Sequence, residues 1–95
     1  SCSTFADRDV RSALKEIVRR DPDVRAVSRA LTLYFGPHEI LLNMGVQFSA
    51  ELSTEQLAAA VTRIERTIRS ECPDVRRIFL EAQLLLEGDK AAGAR

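Results

Sequence analysis

The side chains able to do chemistry are few in this sequence. His38 is the sole histidine, Cys2 and Cys72 are the two cysteines, and Met44 is the one methionine. Soft or borderline metal ligands are limited to these four. The cysteines are far apart and have no CxxC spacing, which argues against a disulfide framework or a zinc ribbon. His38 and Cys72 are the weak candidates that a divalent metal would choose, His38 with Glu39 or with ligands from a second copy. Each also has a plainer reading: His38 as a solvated turn residue, Cys72 as a half-buried, inert thiol. Met44 reads as core filler. Two acidic pairs, Asp7/Asp9 and Asp21/Asp23, sit where helix capping and charge balance explain them. No serine or cysteine has a nucleophile's surroundings, and no glycine-rich phosphate loop occurs. The residues therefore assign no catalytic group, no required cofactor and no metal ligand.

The elements that position these residues are legible. The centre of the chain is Leu31 to Phe48, two strands joined at Gly36-Pro37. Ile40, Leu42, Met44, Val46 and Phe48 alternate and line one face of the second strand. Leu31, Leu33 and Phe35 alternate likewise, which predicts that they join the same face. Gly45 inside the second strand predicts a bulge or a close backbone approach. Before the hairpin, Val10, Ala13, Leu14, Ile17 and Val18 follow a helical stripe that Pro22 stops. After it, Ser53 and Gln56 form a capping box, with Leu52 and Leu57 placed as a hydrophobic staple. Leu57, Ala60, Val61, Ile64 and Ile68 make the second helical stripe, ended by Cys72-Pro73. A third strand starts at Val75 and runs to Ala82, with Gln83 to Leu86 as its continuation. Asp21-Pro22-Asp23-Val24-Arg25 is echoed by Cys72-Pro73-Asp74-Val75-Arg76, so each helix ends by turning through the same tetrapeptide, PDVR, into a strand.

The order helix, strand, strand, helix, strand predicts an α+β sandwich of the ferredoxin-like, metallochaperone-like αββαβ kind. It has a small mixed sheet with two helices on one face and the last strand parallel to the second. The other sheet face is then bare. Tyr34, Leu41 and Phe79 are expected on it, among Thr32, Asn43, Gln47 and Glu81, and are the candidate residues of a dimer interface.

Ninety-five residues make one small domain. Residues 1–6 read as a flexible lead-in, 7–86 as the folded unit and 87–95 as a disordered tail. Fourteen basic and fourteen acidic residues cancel to zero net charge. That gives no bulk electrostatic case for a nucleic-acid partner. No run approaches a membrane span or a signal peptide, and Ser1 in place of an initiator Met suggests a piece of a longer protein.

From about Phe5 to Ala82 the chain resembles the cytoplasmic C-terminal domain of cation diffusion facilitator transporters. The residues that carry the resemblance are Phe35-Gly36-Pro37, Leu52-Ser53, and Pro73-Asp74-Val75 leading into Arg77-Ile78-Phe79-Leu80-Glu81. Ala6-Asp7 resembles the join after the family's last membrane helix. The resemblance implies a membrane antiporter of six spanning helices that exports Zn²⁺ or a similar divalent ion against protons. This domain would hang on the cytoplasmic side of the inner membrane and hold a homodimer together. Zinc-binding members place ligands at positions matching about Ser28, Met44, Leu80 and Ala82, none of which is a good Zn²⁺ ligand here. The usual regulatory site is thus expected to be missing, and no ligand is carried over. The alternatives from other classes are a free-standing soluble metal carrier or small-ligand-binding module of similar fold, and a small enzyme on that scaffold.

Overall fold

The computed structural model describes residues 7–85. The lead-in, the tail, Cys2 and the side chains of Asp7 and Asp9 lie outside the described part. The element order is α1 (Asp7–Arg19), β1 (Val24–Gly36), β2 (Glu39–Ser49), α2 (Thr54–Glu71) and β3 (Val75–Leu85). The sheet has the order β1-β2-β3, with β1 antiparallel and β3 parallel to β2. This is the αββαβ arrangement expected from the hydrophobic periods.

Each element follows from local chemistry. At α2 the capping box is complete: Ser53 Oγ accepts from the Gln56 amide at 3.1 Å, and Gln56 Oε1 accepts from the Ser53 amide at 2.8 Å. Two of the amide groups that a helix start leaves without partners are thereby satisfied. The helix closes at Cys72, whose amide donates to the Ile68 carbonyl. The connection from α1 to β1 is short because Asp21 Oδ1 accepts from the Asp23 amide at 3.0 Å, a turn made by a side chain.

The core lies between the sheet and the helices. Ile40, Leu42, Met44, Val46 and Phe48 of β2 are all at most 3% exposed. They meet Val10, Leu14, Ile17 and Val18 of α1 and Ala60, Ile64 and Ile68 of α2 in one cluster. Leu52 and Leu57 pack against that cluster from the start of α2, where the staple expectation places them.

The facing of β1 differs from the expectation. Residues opposite each other across an antiparallel pair share a face. Ala30 pairs with Met44 and Thr32 with Leu42, so the small residues of β1 look toward the helices. Leu31 pairs with Asn43 and Leu33 with Leu41, which puts both leucines on the open face. Tyr34 pairs with Ile40 and so belongs to the helix side, a correction to its expected place on the bare face. Register shifts between Val24 and Ala26, and between Val27 and Ala30, reset the alternation. Packing supplies the reason: α1 packs on β1, and Ala30 and Thr32 let a helix come close where two leucines would hold it off.

Candidate functional site

Two surfaces stand out, the open sheet face and the hairpin tip. The open face is built in cross-strand rows. Leu33, Leu41 and Arg77 form the row nearest the tip, and Leu31, Asn43 and Phe79 the next. Leu31 is 51%, Leu33 45% and Phe79 53% exposed, while Leu41 is half-buried between its neighbours. Leu41 and Phe79 therefore lie on this face, as alternation predicts. Leu31 and Leu33 join them, and sequence reasoning missed both because no residue type announces a bulge in β1. Together the four make an apolar patch.

Farther along, Gly45 and Glu81 are paired and the face turns polar. Ser28, Arg29, Leu31, Asn43, Gly45 and Glu81 line a shallow depression there. Ser28 Oγ donates to the Gly45 carbonyl at 3.1 Å. A Cβ on residue 45 would collide with that hydroxyl, so the close approach of Ser28 favours glycine at this position. The Gly45 signal in the sequence was real, although the bulge itself lies in the opposite strand.

At the tip, His38 is exposed, with Nδ1 3.2 Å from Asp74 Oδ1. Arg76 Nε donates to the His38 carbonyl at 3.3 Å, and the Ile40 amide donates to the Asp74 carbonyl at 2.8 Å. These contacts fasten the hairpin turn to the start of β3. His38 and Asp74 are one imidazole and one carboxylate in ligand-like proximity. Among the described residues no group of three or more His, Cys, Asp or Glu side chains is placed to hold a metal ion. Cys72 is not the half-buried thiol expected. It is 1% exposed and disulfide-bonded, which removes its sulfur from the set of thiolate ligands. Met44 is fully buried in the core.

A third cluster is structural. Arg63 of α2 grips Asp21 with Nε at 2.6 Å and Nη2 at 2.8 Å, and reaches Asp23 at 3.1 Å. The Arg63 hydrogen bonds hold the Asp21 carboxyl below its ordinary value of 3.8, against the opposing effect of burial, and the Arg63 guanidinium is raised in turn. The pairing explains the Asp21/Asp23 pair as a clasp between α2 and the link from α1 to β1.

No family model and no curated protein matches the sequence. Solved structures do match, and they define the class first: a small α+β domain of metallochaperone-like fold. The neighbours are C-terminal domains of MamM, which belongs to the cation diffusion facilitator transporters. One, a His-to-Ala variant, has a TM-score of 0.78 at 18% identity, covering 85% of this chain and 100% of that one. The copper form of an Asp-to-His variant gives 0.77 at 18% identity, with the same coverage. The nickel form of an Asp-to-Asn variant gives 0.75 at 20%, covering 83% and 99%. The chain shares the fold of these domains over nearly all of its described residues.

Proposed function

We propose that this chain is the cytoplasmic C-terminal domain of a cation diffusion facilitator transporter, acting as its dimerisation and regulatory unit through the open sheet face. The observation that carries this reading is the apolar patch of Leu31, Leu33, Leu41 and Phe79, on a chain whose fold is that of the MamM domains. Such a patch, rimmed by Arg77, Arg29 and Glu81, suits contact with a second copy. Proton-coupled export of Zn²⁺ or a similar divalent ion would belong to a six-helix membrane domain of the parent protein, covalently attached ahead of α1. The domain would then sit on the cytoplasmic side of the inner membrane. Its work would be mechanical rather than enzymatic: contact between two copies couples the protomers. Among the described residues no helix is long and apolar enough to cross a membrane. Nickel and copper forms of the MamM domain make a divalent ion a natural regulator, and His38 with Asp74 is the pair in this chain that such an ion would meet.

Dimensions bound the strength of the contact. Three strands spaced about 4.8 Å apart and about 35 Å long present roughly 500 Å². A standard interface buries about 800 Å² per partner. The isolated domain should therefore dimerise weakly and reversibly, and tethering to a membrane domain would raise the effective concentration of the two copies. Light scattering across a concentration series, with and without Zn²⁺, tests this. A concentration-dependent dimer that Phe79→Asp abolishes is the expected result. A monomer at all concentrations, with and without metal, would sink the dimer contact. A dimer seen only with Zn²⁺ would make metal its cause, with His38→Ala the next variant.

A further inference from the structure

The hairpin tip carries a second exposed apolar group, next to the turn and beyond the cross-strand rows of the open-face patch. Phe35 is 64% exposed, the highest of the large hydrophobic residues described, and Tyr34 is 46% exposed. A register shift between Tyr34 and Gly36 releases Phe35 from the ladder. Beside them a groove of about 560 Å³ is lined by Gly36, Pro37, His38, Glu39, Arg76 and Arg77. The tip is held rather than loose, because Arg76 and Asp74 both bind His38. Two aromatic rings on a braced turn, with two arginines behind them, form a wedge with a cationic collar.

Its position in the molecule gives the wedge an address. The short link between Arg19 and Val24 reverses the chain, so α1 runs antiparallel to β1. The start of α1 thus lies toward the same end of the molecule as the tip. Under the proposed function, on which this inference rests, that end faces the bilayer. Aromatic rings with a polar or basic flank settle at the headgroup level, and arginine contacts lipid phosphates. At the tip, Arg76 and Arg77 outweigh Glu39, while Asp74 is engaged with His38. We infer that the β1–β2 tip is a membrane-surface contact in which Tyr34 and Phe35 enter the headgroup region of an anionic bilayer and Arg76 and Arg77 meet its phosphates.

The sequence provides the probe. Tyr34 is the only tyrosine and there is no tryptophan, so intrinsic fluorescence reports on the tip alone. The full chain is mixed with vesicles of brominated phosphatidylcholine, with or without phosphatidylglycerol. The expected result is quenching of Tyr34 that requires the anionic lipid and falls with salt. Phe35→Ser should weaken binding about tenfold, and Arg77→Ala about fivefold, the equivalent of about 1 kcal/mol per basic residue at an anionic surface. Leu84→Ser, at the opposite end beside Phe48, should change nothing. Absence of quenching with anionic vesicles overturns the inference, and a protein loop would then be the better occupant. Equal weakening by Phe35→Ser and Leu84→Ser also overturns it. A chain that dimerises by light scattering yet ignores vesicles loses the tip contact and keeps the domain reading.

Discussion

Arg63 shows how one side chain ties helix, turn and strand together. Its fork joins α2 to Asp21 and Asp23 in the link between α1 and β1. Asp21 is the buried end of the pair, with 7% of its side chain exposed, while Arg63 is 46% exposed. Solvent screening at the arginine limits the gain to about 1 kcal/mol. The sign with pH follows from the lowered carboxyl. The stabilisation is full above the unfolded Asp value of 3.8 and drains away as pH falls through the lower folded value. Arg63→Ala should cost about 1 kcal/mol in urea unfolding at neutral pH. Variant and parent should converge as pH falls below the lowered folded value of Asp21, and an equal deficit at every pH would contradict the account. The second prediction at this scale concerns Gly45. Gly45→Ala forces Ser28 to rotate away and lose its bond to the Gly45 carbonyl, at about 1 kcal/mol. The Ser28→Ala/Gly45→Ala double variant removes the clash and should recover part of the loss, a coupling that a double-mutant cycle reads directly.

At the scale of elements, α2 is the clearest case of sequence writing its own boundary. Ser53 and Gln56 exchange hydrogen bonds, and Leu52 and Leu57 pack beneath them. Ser53→Ala should lower stability by about 1 kcal/mol, visible as an earlier thermal transition by circular dichroism, and Ser53→Asp should restore most of it. An unchanged transition in the alanine variant would mean that tertiary packing alone holds the first turn. The strands divide differently. β2 alternates along its length, and β3 does so from Arg77 onward, past one register shift beside Val75, so period alone places Phe79 and Leu41. β1 carries three register shifts, and its alternation is broken where α1 packs on it. The hairpin therefore joins one strand whose faces are readable to one whose faces are not.

For the whole molecule, the two sheet faces should respond to substitution in opposite ways. Leu42 is fully buried in the core cluster. Leu42→Ala should cost about 2–5 kcal/mol, a large share of the stability of a domain this size. Phe79→Asp changes a half-exposed residue and should leave the monomer's urea midpoint nearly unmoved while removing association in sedimentation experiments. If both variants unfolded the chain alike, the open face would be part of the stabilising core and the interface reading would fail. The sequence by itself determined the element order, the helix caps, the core face of β2 and the α+β class, because these rest on periods and capping groups a few residues apart. It also carried a resemblance whose fold the neighbours share. Only the tertiary structure decided which face of β1 is buried, that Tyr34 leaves the open face while Leu31 and Leu33 join it, and that Asp21 and Arg63 meet across 42 residues. Those outcomes depend on how closely a helix can approach a strand and on where a bulge resets the pleat. Both are set by contacts between distant segments, which the local pattern of side chains does not encode.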